Sequence, residues 1–323
     1  MALLTTSIGS FPKPPTLHEA RRRFSEGEID AAALREVEDE ATRGVLGVQD
    51  ELGIDLLVDG EMDRADPITT FAERLTGVEI DGWVRIVGDR YVRKPKITGA
   101  LARAASATAH RWRFARDAAR GAVKAVLPGP YALMDGSFDE HYGGRREVCM
   151  AFADIVRDEA VELAAAGATE IQLDETAAGA RPEELPLLRE ALERVIGPLR
   201  GRSRVWVYLG YADLEAMGEE LAALPANGVL VAGAHCGYEG FQAFARSLPE
   251  DRFVGIGVIN VLDARVETES EVRDRLAIVT DLVPRDRLWV VPDGGLRALR
   301  PETARAKLAA MVAAARNWGQ VSH

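Results

Sequence analysis

The sequence predicts an α/β chain folded as a (βα)8 TIM barrel with a β-hairpin inserted between its second and third strands. Three observations predict it. Short apolar runs recur along the 323 residues, amphipathic stretches of helical period separate them, and polar or glycine-rich turns follow the runs. The runs are Leu3 to Ser7, Asp55 to Asp59, Ala122 to Leu127, Glu170 to Asp174, Arg204 to Leu209, Gly228 to Ala232, Phe253 to Val258 and Leu288 to Val291. Eight parallel strands are what a closed βα barrel requires.

Between the runs, Asp30 to Leu52 carries apolar residues at helical spacing (Ala33, Leu34, Val37, Ala41, Val45, Val48, Leu52). Arg145 to Ala166, Pro182 to Val195, Glu271 to Leu282 and Pro301 to Trp318 follow the same rule. Val78 to Gly99 departs from it, alternating apolar and polar residues about Val87-Gly88-Asp89 as a hairpin does. No low-complexity tract or Pro/Gly/Ser linker interrupts the chain, so one domain over residues 1–323 is expected.

Composition narrows the function classes. With 40 Lys+Arg against 51 Asp+Glu, the net charge of −11 repels phosphate backbones and anionic lipid, so neither a nucleic-acid nor a membrane partner is expected. No apolar run approaches the roughly 20 residues of a membrane span, and residues 1–15 lack the basic and hydrophobic regions of a secretion signal, which together predict a cytoplasmic location. Cys149 and Cys236 form neither a disulfide framework nor a CxxC pair. A small-molecule substrate is the expected partner, and a homo-oligomer is compatible with these numbers.

In such a barrel, chemistry sits on the loops after the strands. There the sequence places Ile8-Gly9-Ser10, Asp59-Gly60-Glu61, Pro128-Gly129-Pro130, Asp174-Glu175, Tyr208-Leu209-Gly210-Tyr211, Gly233-Ala234-His235-Cys236 and Asp293-Gly294-Gly295. Glu61, Asp174, Glu175 and Asp293 crowd one mouth, which suits binding a cationic group or proton transfer. The Gly-flanked turn at Ser10 offers a hydroxyl and backbone N–H groups to a carboxylate. His235 and Cys236 are candidates for acid/base or metal chemistry.

Thr5-Thr6-Ser7-Ile8-Gly9-Ser10-Phe11-Pro12, Asp59-Gly60-Glu61, Leu127-Pro128-Gly129-Pro130, Ile171-Gln172-Leu173-Asp174-Glu175 and Leu288 to Leu296 (LWVVPDGGL) resemble, in order, motifs of the C-terminal catalytic barrel of cobalamin-independent methionine synthase. The resemblance spans nearly the whole chain and implies a single-barrel form. It implies an amino acid held by Ile8, Gly9, Ser10, Glu61 and Asp174, and a folate contact from Arg90. It also implies a zinc site that this sequence does not supply. The His-x-Cys ligands fall on Tyr208 and Gly210, the Glu on Gly233 and the final Cys on Gly294, while the tryptophan that stacks on folate falls on Gly136.

Two enzymatic functions follow, beside a non-catalytic protein that keeps the amino-acid pocket and turns nothing over. The first is a methyl or alkyl transferase acting on a thiol or amino-acid-like acceptor, with zinc or folate engaged only through a non-standard site. The second is a metal-free lyase or decarboxylase on the same barrel. For these, Asp174, Tyr208, His235 and Asp293 are the candidate catalytic residues. Ile8, Gly9, Ser10, Glu61, Arg90 and Glu175 are the candidate substrate-binding residues.

Overall fold

The computed structural model describes residues 2–87 and 90–318, without the side chains of 81, 83–87 and 90–92. The strands are β1 (Leu4–Thr5), β2 (Leu75–Val87), β3 (Arg90–Arg103), β4 (Ala125–Pro128), β5 (Phe138–Asp139), β6 (Glu170–Asp174), β7 (Arg204–Tyr208), β8 (Gly228–Val231), β9 (Phe253–Ile259) and β10 (Leu288–Pro292). Seven of them form one parallel sheet in the order β1-β10-β9-β8-β7-β6-β4. The segment around Leu56 and Leu57 bridges the two ends, with Thr6 pairing with Leu56 and Leu57 with Val123, both parallel. All eight predicted runs thus lie in one ring, and the helices pack around its outside.

The predicted helices stand at Ala31–Leu52, Arg145–Ala165, Leu185–Ile196, Glu269–Thr280 and Pro301–Arg316. Local chemistry sets several of their ends. Asp30 caps its helix by accepting from the N–H of Ala33, and Thr268 with Glu271 makes a reciprocal capping box.

The bottom of the barrel is plugged by large side chains. Trp206 and Trp289 meet edge to face at 5.6 Å beside Ile8, Leu56, Leu230 and Val291. Glycine makes the room: a Cβ at Gly228 would lie 2.3 Å from the Trp206 ring, and one at Gly255 would lie 2.2 Å from Leu230. The indole N–H of Trp206 donates to Glu170 at 2.7 Å, so its buried polar atom is satisfied. With its floor filled, the barrel can bind ligands only at its other end.

The hairpin β2–β3 is antiparallel and longer than its alternation predicted, and β5 adds a third strand parallel to β3. Its predicted turn residues Gly88 and Asp89 lie outside the described residues. Glu159, inside the helix Arg145–Ala165, anchors the hairpin's exit by accepting from the backbone N–H groups of Ala107 and Thr108 and from Arg103. No described helix is long and apolar enough to cross a membrane.

Candidate active site

The ends of β1, of the Asp55–Asp59 segment and of β6 form an acidic cradle. Gly9 lies against the Glu61 carboxylate so closely that a Cβ there would stand 2.7 Å from Oε1, so glycine is what permits the approach. Glu61 itself has φ 55°, the left-handed region that a non-glycine residue enters at a cost of about 1–3 kcal/mol. Its backbone is pinned there. The N–H of Glu61 donates to Asp59 Oδ1 at 2.9 Å, and its carbonyl accepts from Lys13 Nζ at 2.6 Å and from the Arg64 N–H at 3.0 Å.

Asp174 faces this group from the end of β6. Gln172, two residues earlier and therefore on the same face of the strand, donates through Nε2 to Asp174 Oδ1 at 2.6 Å and to the Ile8 carbonyl at 2.7 Å. One amide thus couples the end of β6 to the end of β1 across the barrel. Below it, the fully buried Lys124 donates to the Ser7 carbonyl at 2.8 Å. The Ser7 hydroxyl and Gln172 Oε1 are buried with no partner among the described residues, leaving hydrogen-bonding capacity under the cradle.

Burial, then the Glu61 charge, pushes the Asp174 pKa up to about 7. Burial also raises Glu61, against the pull of Arg64 and Lys13. It lowers Lys13 to about 8 and Lys124 to about 7. Burial opposes the charge on Arg64 too, yet Asp59, Glu61, Asp63 and Asp174 together hold its guanidinium firmly protonated. Two carboxylates with raised pKa values at one mouth are an arrangement that favours a cationic guest.

Ser10 closes this side. Its hydroxyl lies where a Cβ on Gly295 would stand, 2.2 Å away, and its carbonyl accepts from the Leu296 N–H at 2.7 Å. The structure therefore brings Ile8, Gly9, Ser10, Glu61 and Asp174 together. Arg90 begins β3, but its side chain lies outside the described residues, so the folate contact expected of it has no described geometry.

Glu175 stands apart from this group. Its two oxygens accept from the N–H groups of Tyr131 at 3.2 Å and Ala132 at 2.8 Å, at the start of the helix Pro130–Asp135. Burial pushes its pKa up to about 8 even against those donors. The alternation of β6 turns Asp174 inward and sends the next carboxylate to the helix layer.

Asp293 is fully buried and also engaged by backbone. Oδ1 accepts from the N–H groups of Gly233 and Ala234, both at 2.9 Å, and Oδ2 from that of His235 at 2.8 Å. The loop after β8 is thereby wrapped around one carboxylate, and Gly257 leaves it room. His235 Nδ1 lies 3.4 Å from Asp293 Oδ2 but makes no hydrogen bond, and its ring meets Tyr211 edge to face at 4.9 Å. Cys236 is exposed, its thiol 3.5 Å from the Gly233 carbonyl.

The four positions where the resemblance implies zinc ligands hold none. Tyr208 is buried, and its hydroxyl donates to the Asp293 carbonyl at 2.9 Å. At Gly233 a side chain would enter the Tyr238 ring, 2.5 Å from the added Cβ, and the Tyr238 hydroxyl is held by the Gly257 carbonyl at 3.1 Å. Gly210 has φ +60°, and a Cβ on Gly294 would stand 3.0 Å from the hydroxyls of both Tyr208 and Tyr211. One phenol and three glycines offer no thiolate, imidazole or carboxylate. Among the described residues, no group of three or more His, Cys, Asp or Glu stands where it could hold a metal ion. These residues do not fit the zinc. Nor is there space for an aromatic platform at Gly136, where a Cβ would lie 2.8 Å from Ile68.

A cleft of about 310 Å³ opens beside Thr176, Tyr208, Gly210 and Tyr211, and a second of about 260 Å³ beside Tyr211, His235, Cys236 and Glu239. A larger cleft, about 830 Å³, lies elsewhere, against Val37, Ala41, Val45 and Pro301 on the outer helices. It lacks the convergent buried charges of the barrel mouth, so the chemistry is assigned to the strand ends.

Sequence reasoning did not name Lys13 or Lys124, and it gave Gln172 and Tyr211 only as members of longer segments, without a role. For Gln172 and Lys124 the signal was present as polar residues inside otherwise apolar runs.

Ring closure, polar groups at the carboxyl ends of the strands and an acidic cradle define a βα-barrel enzyme. The chain belongs to the family of the cobalamin-independent synthase catalytic domain, whose model matches residues 3–317. It is 32% identical over 311 residues to a methionine synthase of Sulfurisphaera tokodaii, covering 96% of this chain and 90% of the relative. A 5-methyltetrahydropteroyltriglutamate–homocysteine methyltransferase of Caulobacter vibrioides is 31% identical over 328 residues, covering 97% of this chain and 42% of that protein. In structure, the chain is similar to a B12-independent methionine synthase of Shewanella sp. in complex with selenomethionine. That match has a TM-score of 0.85 and 26% identity, and it covers 99% and 98% of the two chains.

Proposed function

We propose that this chain is a methyl- or alkyl-group transferase of the methionine-synthase type that holds an amino-acid-like acceptor at the ends of β1 and β6, without the family's four-ligand zinc site. The observation that carries this reading is the joining of Glu61, Asp174 and the Ile8-Gly9-Ser10 turn through Gln172 and the Gly9 contact. Glu61 and Asp174 take the ammonium of the amino acid. The Ser10 hydroxyl and neighbouring N–H groups take its carboxylate. The related Shewanella protein, solved with selenomethionine, supports a ligand of this class.

Asp174, poised near 7, can take a proton from an arriving ammonium or retain one when the site is empty. Burial keeps the Tyr208 phenol protonated well above its usual range, with its proton held by the Asp293 carbonyl and its oxygen left to accept. The acceptor atom would therefore be activated by hydrogen bonding and proton removal rather than by a metal thiolate.

A second reading is a metal-free lyase or decarboxylase. The contact of His235 with Asp293 and the two phenols nearby favour it, since together they supply acid and base groups at one rim. Calorimetric titration with L-methionine and L-homocysteine tests the shared premise. Wild type binds, and Asp174→Asn loses about 100-fold or more in affinity with an unchanged melting temperature. Undiminished affinity in the variant would remove Asp174 from the site and this reading with it. Product analysis with a methylated donor then separates transfer from bond cleavage.

A further inference from the structure

The rim over Gly294 carries hydrogen-bonding groups that the cradle does not use. A Cβ on Gly294 would stand 3.0 Å from the Tyr208 hydroxyl and 3.0 Å from the Tyr211 hydroxyl, so both oxygens converge on the space above one glycine. The two differ in what they can still offer. The Tyr208 proton is committed to the Asp293 carbonyl, which leaves its oxygen free to accept. Among the described residues no partner pairs with the Tyr211 hydroxyl, which leaves its proton free to donate, and burial pushes its pKa up to about 12. Val261, which the same Cβ would meet at 3.4 Å, supplies an apolar wall.

This pair adjoins the cradle through the chain itself. Gly295, whose Cα packs on the Ser10 hydroxyl, is bonded to Gly294, and consecutive Cα atoms stand about 3.8 Å apart. A short side chain on an amino acid held at Ser10, Glu61 and Asp174 would end at the two phenols.

We infer that Tyr208 and Tyr211 form a specificity pair selecting an acceptor amino acid whose side chain ends in a neutral hydroxyl. One donor beside one acceptor matches a hydroxyl, which both accepts and donates. A thiol is weak in both roles. A carboxylate cannot donate to Tyr208, and it would add a negative charge beside the buried Asp293. The inference rests on the cradle reading above and adds the class of side chain to it.

The test is a calorimetric panel of L-homoserine, L-homocysteine under reductant, L-aspartate and L-2-aminobutyrate, the last carrying no terminal group. L-Homoserine should bind about threefold to tenfold tighter than L-2-aminobutyrate, which is what one or two net neutral hydrogen bonds are worth. L-Homocysteine should gain little over L-2-aminobutyrate, and L-aspartate should bind more weakly. Tyr211→Phe removes one oxygen from an exposed side chain, so the fold is preserved; it should lower the homoserine ratio severalfold while leaving L-2-aminobutyrate unchanged. Gly294→Ala, which fills the space under both hydroxyls, should do the same. Homocysteine binding as tightly as homoserine, or an unchanged ratio in Tyr211→Phe, overturns the specificity pair alone. If L-2-aminobutyrate and all the others fail to bind, the cradle reading falls and the pair with it.

Discussion

At the ends of β1, the Asp55–Asp59 segment and β6, buried carboxylates face Arg64, Lys13, Lys124 and Gln172. At the ends of β7, β8 and β10, the same ring is closed by Tyr208, Tyr238 and an Asp293 wrapped in backbone N–H groups. The first side keeps charges at raised pKa values and leaves polar atoms without partners, features of a site waiting for a ligand. On the second side the carboxylate of Asp293 and the hydroxyls of Tyr208 and Tyr238 bond to protein, His235 Nδ1 is left without a partner among the described residues, and at Gly233 the Tyr238 ring fills the space where a metal ligand would stand. The two arcs of one barrel mouth can differ in this way because each loop is anchored to its own strand.

That contrast can be broken at Asp293. Asp293→Ala strips three N–H groups, one buried and two part-buried, of their acceptor at once, and each unsatisfied buried donor costs about 1–3 kcal/mol. A loss of about 4 kcal/mol in unfolding free energy is expected from denaturant titration. A loss under about 1 kcal/mol would show that the loop after β8 is held by something else.

The contrast sharpens at Gly233. A methyl there meets the Tyr238 ring, so Gly233→Ala should cost about 1–3 kcal/mol in the same titration. Gly233→Ala combined with Tyr238→Ala frees the space but loses the ring, and the two changes should be non-additive because the residues touch. Strict additivity would mean that Tyr238 does not occupy the position.

The smallest effect is one of pH. Asp174 is raised from its ordinary 3.8 to about 7, so the empty folded state favours its protonated form. That contribution to stability is full below the unfolded pKa and lost as pH rises through 7. An ammonium ligand needs the carboxylate, so affinity should fall about tenfold per unit below pH 7 and level off above it. The ligand-induced rise in melting temperature should accordingly be larger at pH 8 than at pH 6. A flat affinity from pH 5.5 to 8 would contradict the assignment of Asp174 to the ammonium.

The fold was legible because eight apolar runs and the helical periods between them are local signals, and each run lies in the ring. The hairpin was legible for the same reason, though β5 was not, since its two residues carry no pattern of their own. At the site, Ser10, Glu61 and Asp174 could be read because strand ends place polar residues at one mouth. Glu175 could not be separated from Asp174 in sequence, yet one step along β6 turns it toward a helix start. Asp293 could be placed at the mouth from sequence, but not its three N–H partners, which lie about 60 residues away in the chain. Tyr238 went unnoticed since only the folded loop brings its ring under Gly233.

The central claim is that the arc formed by Tyr208, Gly210, Gly233 and Gly294 does not support zinc. Metal content of the purified, untagged protein, measured after zinc loading and removal of free ion, tests it directly. Well under one zinc per chain is expected, with no change in melting temperature on adding a chelator. Close to one zinc per chain, released by chelator and lowered by Tyr208→Phe, would contradict the account and return the second arc to metal chemistry.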